Sequence, residues 1–237
     1  MTKKLPLIIL SGPTAVGKTE LSIALAKEVN GEIISADSMQ VYRRMDIGTA
    51  KISKEEMQGV PHHLIDILEP WETFNVVKFK ELVTEKIEEI CARGRIPILA
   101  GGTGFYIQSV LYDIEFEEQE GTLRKELEAF AKEHGDEALY RFLLEEDPIT
   151  AATIHPNNTK KVIRALEFFR ETKKSLATHN EEQRSREPVY QSAYFVLTRN
   201  REVLYDRINL RVDQMVEKGL LEEVQHLMEE NVPRSST

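Results

Sequence analysis

Over its first half the chain alternates short apolar runs with stretches in which apolar residues recur every three or four positions. Leu5 to Leu10 is a continuous apolar run followed by turn residues, as in a strand buried on both faces of a parallel sheet. From Lys18 onward Leu21, Ala24, Leu25 and Val29 fall on one face of a predicted helix, which Gly31 ends. Glu32 to Ala36 reads as the next strand. It delivers Asp37 and Ser38 just past its carboxyl end, the edge at which open parallel sheets bind ligands. His63 to Leu68 gives a third apolar run. Val76 to Ala92 gives a second helix, stopped by Gly94, and Ile96 to Ala100 a strand running into Gly101, Gly102, Thr103 and Gly104. Alternation of this kind predicts a doubly wound α/β layer.

Past Asp113 the pattern changes. No strand pattern returns until Ala193 to Leu197, and the residues between are helical and strongly charged, so 113–197 reads as an inserted helical subdomain in a core built from 1–112 and 198–237. Within the insertion, Pro156 and Asn157 suit the start of a helix. Its Val162, Ala165, Leu166 and Phe169 form an apolar face, while Lys160 and Arg164 point away from it. Leu204 to Glu230 is helical again, with Arg207 and Arg211 one turn apart on one face.

Composition narrows this picture. Hydrophobic residues at 41% and charged residues at 30% are those of an ordinary globular protein, which excludes disordered and membrane-spanning classes. Cys91 is the single cysteine, so no internal disulfide forms. It reads as a small buried helix residue, and with no targeting or transmembrane run in view the expected location is the cytoplasm. A net charge of −9 would argue against a nucleic-acid partner if it were even. It is not: Glu115 to Asp147 is acidic, whereas Asn157 to Leu176 carries Lys160, Lys161, Arg164, Arg170, Lys173 and Lys174 against Glu167 and Glu171. On its own that basic face is equally well a solvated helix surface.

The chemistry begins at Gly12-Pro13-Thr14-Ala15-Val16-Gly17-Lys18-Thr19, a full G-x-x-x-x-G-K-[ST] loop set between a predicted strand and a predicted helix. Its glycines let backbone N–H groups surround phosphate oxygens, the helix N-terminus and Lys18 add positive charge, and the Thr19 hydroxyl suits Mg²⁺. Such loops mark nucleotide-binding and ATP-binding proteins, but they read charge and shape and leave the diphosphate's identity open. Asp37 could ligate a metal, act as a general base or cap a helix opening at Ser38. Thr103 could bring a hydroxyl or amide to the same phosphates or simply form a turn. His62 and His63 lack companions at metal-ligand spacing and read as structural residues of a strand edge.

These segments together resemble the tRNA dimethylallyltransferases, also called isopentenyl-diphosphate:tRNA transferases. The resemblance is carried by GPTAVGKT (Gly12 to Thr19), SADSMQVYRRMDIGTAK (Ser35 to Lys51), PHHLID (Pro61 to Asp66), GGTGFY (Gly101 to Tyr106), DPITAATIHPNNTKKVIRALE (Asp147 to Glu167) and RINLRVDQM (Arg207 to Met215). The resemblance implies a P-loop NTPase-like fold. It also implies transfer of a dimethylallyl group from dimethylallyl diphosphate to N6 of an adenosine beside the anticodon in tRNA, with Mg²⁺ as cofactor. The P-loop would hold the prenyl diphosphate rather than ATP, with Arg211 the first and Arg207 the second candidate for a diphosphate-binding arginine. Asp37 would take the N6 proton, with Lys18 and Thr103 beside it in the catalytic set. Ser38, Met39 and Gln40 would neighbour the substrate base. Lys160, Lys161, Val162, Ile163 and Arg164, with Arg124, match positions where the family contacts tRNA, so the insertion is expected to embrace the anticodon arm, the protein acting as a monomer. Two departures stand out. Ile52 replaces a usual proline, and after Thr237 the family continues with a helical, basic region, so the C-terminal part of the core is expected to be incomplete. A P-loop kinase of small molecules is the competing reading, and a nucleotide-dependent switch the non-enzymatic one.

Overall fold

A computed structural model describes residues 4–116 and 122–232. The chain divides into two compact units, Met1–Ile114 with Pro188–Thr237, and Glu115–Glu187. The sequence boundaries at 113 and 197 differ from these mainly at the second junction, because the strand predicted near 193 belongs to the core sheet. Thr237, where the relation to the family's C-terminal region was drawn, lies outside the described residues.

The first unit opens with β1 (Pro6–Ser11), α1 (Lys18–Val29), β2 (Gly31–Ala36) and β3 (His62–His63), followed by α2 (Val76–Ala92), β4 (Ile96–Gly101) and α3 (Gly104–Leu111). The second unit holds α4 (Thr122–His134), α5 (Asp136–Glu146), α6 (Pro148–Ala151), α7 (Thr159–Thr172) and α8 (Leu176–Arg184). The chain then returns to the first for β5 (Gln191–Val196), α9 (Arg201–Glu217) and α10 (Leu220–Glu229). Among the described residues the sheet has the order β3-β2-β4-β1-β5, and every ladder is parallel.

Strict alternation sorts the strand side chains onto two buried faces. Leu7, Ile9, Ile34 and Leu99 pack with Phe79, Val83, Ile87 and Ile90 of α2 and Ile107 and Val110 of α3. Leu10, Ile33 and Ile98 pack with Ile23 and Ala26 of α1. Both faces are covered by helices, which is why the strands read as unbroken apolar runs. Several local details differ from expectation. Asn30, with φ 52°, takes the left-handed C-cap of α1, and Gly31 is already in β2, paired with Ile96 so closely that a Cβ there would lie 2.8 Å from the Ile96 carbonyl oxygen. The run at 63–68 gives only two strand residues, since Leu64 and Asp66 adopt left-handed φ values and break the pleat. The helical stretch at 204–230 is split by Gly219, at φ 99°.

The second unit has its own core of Leu127, Leu139, Leu143, Val162, Ile163, Ala165 and Leu166. Asp147 organises it: buried, it accepts hydrogen bonds from the Thr150 amide and hydroxyl and from the Leu176 amide at 3.1 Å, tying α6 to the start of α8. Helix α7 begins at Thr159, capped by the Asn158 side chain, slightly later than Pro156 and Asn157 suggest. Its buried aromatic residue is Phe168, with Phe169 half-buried.

Candidate active site

Three strand ends converge. Ser11 pairs with Gly101, and Gly101 pairs with Ala36, so the loops leaving β1, β2 and β4 start side by side at the carboxyl edge of the sheet. The spacing depends on Gly101, where a Cβ would lie 2.2 Å from the Ala36 carbonyl oxygen. Gly12, at φ 146°, likewise permits the β1 chain to pass the Leu197 carbonyl, which a Cβ would approach to 2.6 Å.

From Gly12 to Thr19 the chain forms the expected loop into the N-terminus of α1, with Gly17 at φ 109° and Ala15 at φ 61°. Lys18 Nζ donates to the carbonyl oxygens of Gly12 and Pro13, both at 2.8 Å. Arg207 Nε, from α9, donates to the Ala15 carbonyl at 2.8 Å, and Arg199, just before α9, donates to the Val16 carbonyl at 3.4 Å. Two arginines reached from the far end of the chain therefore hold the loop.

A cavity of about 390 Å³ opens here, lined on its polar side by Thr14 to Thr19, Asp37, Gly102, Arg207 and Arg211. The same lining also brings in the apolar Ile33, Ala50, Ile52 and Ile65, with His62, Ser35 and Gln40. Burial lowers the pKa of Lys18, and the charge of Arg211 lowers it further, with Asp37 partly offsetting both. Arg211 is also lowered by burial, with Asp37 acting against it. Its Nε is buried with no hydrogen-bond partner among the described residues. Two partly buried cations, each lowered by its burial and one of them lowered further by the other, form a site suited to an anion of more than one charge.

Asp37 Oδ1 accepts from the amides of Met39, at 2.9 Å, and Gln40, at 3.4 Å. What it caps is a turn and not the helix considered from the sequence. Gln40 is itself fixed, with Nε2 donating to the carbonyls of Thr49 and Ala50 at 3.2 and 3.4 Å and Oε1 accepting from Ser35 Oγ at 3.2 Å. Ser38 and Met39 lie beside the cavity without lining it. Thr103 is outside the lining too: it occupies the N-cap of α3 with no side-chain cap bond, and its amide reaches Ala36 O at 3.5 Å. Gly102 is the member of that turn that faces Lys18, 4.0 Å from where its Cβ would be.

His62 and His63 part company. His63 Nε2 bonds the buried Glu32 carboxylate at 2.6 Å, where Arg93 and Arg95 join it, a structural role as expected. His62 holds the Val60 carbonyl through Nδ1 at 2.9 Å and lines the cavity. Burial lowers its pKa despite that bond, and His63 adds to the effect. No sequence signal separates the pair.

Along 40–237 the chain matches the family model described as IPP transferase. The chain belongs to the IPP transferase family. It is 58% identical to the tRNA dimethylallyltransferase of Lachnoclostridium phytofermentans over 97% of this chain and 74% of the relative. It is 52% identical to that of Bacillus subtilis over 97% and 73%. Among solved structures it is similar to the full-length tRNA isopentenylpyrophosphate transferase of Bacillus halodurans, with TM-score 0.68 and 50% identity over 98% of this chain and 72% of that one. It is also similar to a eukaryotic dimethylallyltransferase acting on tRNA, with TM-score 0.83 and 33% identity over 95% and 56%. The doubly wound parallel sheet around a P-loop is thus the fold of an IPP transferase.

The remaining expected residues of this IPP transferase lie in its second unit. Lys160 and Lys161 are exposed at the start of α7, and Arg164 is half-buried. Val162 and Ile163 turn inward, 0% and 4% exposed, so their side chains support the helix and offer no surface to a partner. Arg124 pairs with the buried Glu167 at 3.0 Å. Among the described residues no group of three His, Cys, Asp or Glu forms a metal site, and no helix is long and apolar enough to cross a membrane.

Proposed function

We propose that the chain is a tRNA dimethylallyltransferase that moves a dimethylallyl group from dimethylallyl diphosphate to N6 of an adenosine next to the anticodon. The activity is the one named for its relatives. The observation that carries the diphosphate assignment is the pair of partly buried cations, Lys18 and Arg211, sharing one cavity with Asp37, with Arg211 Nε unpartnered among the described residues.

In this reading the loop amides, Lys18 and Arg211 bind the diphosphate, and Arg207 keeps the loop in shape through Ala15. The apolar lining residues Ile33, Ile52 and Ile65 receive the five-carbon chain. As N6 attacks C1 of that chain, the C1–O bond breaks and diphosphate leaves, so negative charge grows at the oxygens that Lys18 and Arg211 face. Asp37, its Oδ1 held by two amides, takes the N6 proton through Oδ2. The exocyclic amine is a weak nucleophile, and removal of its proton as the C–N bond forms makes the attack feasible. The Thr19 hydroxyl fits Mg²⁺, which keeps most of its ligands from water and phosphate and needs few from protein. When bound there it would neutralise charge on the departing diphosphate. The target base leaves the anticodon-loop stack to reach the cavity, and Lys160, Lys161 and Arg164 contact tRNA phosphates. ATP is not the ligand in this reading.

Labelled dimethylallyl diphosphate, unmodified tRNA and Mg²⁺ test it, with ATP phosphotransfer assayed alongside. Asp37→Ala is expected to lower kcat by roughly 10²–10⁴ while diphosphate binding persists, and Lys18→Ala to lose binding. Phosphotransfer without label on tRNA would replace this reading with the kinase one.

A further inference from the structure

Helix α10 contributes nothing to the cavity lining, yet one of its side chains is tied to the loop that frames it. Glu223 Oε2 accepts from the amides of Asp46 and Ile47, both at 2.7 Å, and Oε1 accepts from the Gly48 amide at 3.0 Å. Three consecutive amides converging on a carboxylate form an anion nest filled from within the chain. Position 48 suits glycine, since a Cβ there would stand 3.2 Å from Leu220 Cδ1 and 3.4 Å from Glu223 Oε1.

The next two residues are those that orient Gln40. Thr49 and Ala50 offer carbonyl oxygens to Gln40 Nε2, and a carbonyl can only accept. The side-chain amide is therefore polarised in one sense, with Oε1 turned toward Ser35 Oγ and one of its two lone pairs uncommitted to that bond. Gln40 lines the cavity, and in this proposal the remaining Oε1 lone pair is the acceptor it offers there. An acceptor suits the exocyclic N6–H of adenine and repels the O6 of guanine or hypoxanthine. Loosening 46–48 frees Thr49 and Ala50 to move, and Gln40 then loses the contacts that prevent its amide from flipping.

We propose that Glu223 is a positioning residue for purine selection: by clamping the amides of 46–48 it fixes the two carbonyls that hold Gln40 as an acceptor toward the target base. This rests on the proposed function, in which the cavity takes that base beside the diphosphate.

The test uses the whole enzyme and anticodon stem-loops carrying adenine or hypoxanthine at the target position, the second as a competitive inhibitor. Glu223→Ala should raise KM for the adenine stem-loop roughly ten-fold, the loss expected for one or two buried hydrogen bonds. KM for dimethylallyl diphosphate should stay within about two-fold, and the preference for adenine over hypoxanthine should fall with the first. Glu223→Gln, which keeps one acceptor oxygen, should lie between, and Gly48→Ala should act in the same direction from the other side of the clamp. An unchanged adenine preference in Glu223→Gln and Gly48→Ala would overturn the proposal, as would equal losses for both substrates. Full activity in Lys18→Ala and Asp37→Ala would instead overturn the site assignment beneath it.

Discussion

Arg207 and Arg211 lie one helical turn apart, and the sequence ranks them without separating their tasks. The structure gives Arg207 a carbonyl partner on the P-loop, whereas Arg211 Nε has none among the described residues. Arg211→Gln should therefore raise KM for dimethylallyl diphosphate by roughly ten- to a hundred-fold, the weight of a charge-assisted hydrogen bond. Arg207→Gln should loosen the loop and raise the amide exchange of Ala15 and Val16. Steady-state kinetics of the two variants, with exchange measured beside them, check the division. That the P-loop, Asp37 and both arginines are candidates for one site is legible because their chemistry is local or their motifs are specific, and the structure brings them to one cavity. The places of His62 and Glu223 are not legible. His62 differs from His63 only in which way a two-residue strand turns it, and Glu223 meets its partners across some 175 intervening residues.

Elements whose signals are periodic were read correctly, and those decided by single backbone angles were not. Helix α2 runs over Val76–Ala92 as its apolar spacing predicts, and Asn75 caps it through the Lys78 amide. The run at 63–68 has the composition of a strand, but two left-handed residues stop the pairing, and no composition rule registers them. The join of α6 to α8 offers a test at this scale. Burial pushes the Asp147 carboxyl up, but the bonds from Thr150, Ser175 and Leu176 outweigh it and hold its pKa below the usual carboxylate value. Because the folded pKa is the lower one, its stabilisation is complete above the unfolded value and is lost as pH falls through the folded one. Asp147→Asn should cost about 1–3 kcal/mol at neutral pH and flatten the acid limb of a stability–pH curve. Urea unfolding across that range measures both effects.

Across the whole molecule an acidic balance coexists with an exposed basic pair that the proposed function assigns to tRNA. The net charge of −9 slows nonspecific attachment to nucleic acid, while Lys160 and Lys161 stand exposed together at the start of α7. Each should release about one counterion on binding, so Lys160→Ala and Lys161→Ala should each lower the slope of log KM for tRNA against log salt by about one. KM measured over a salt series checks this, with dimethylallyl diphosphate saturating. A last consequence follows from β5. Pro6 pairs with Gln191, and between those partners the chain builds a unit with a core of its own. During synthesis on the ribosome, β1 therefore leaves the tunnel first and waits with one edge bare while the whole helical unit emerges and collapses. The sheet closes on that side only after the strand from 191 arrives, which makes the order of emergence part of how this fold is built.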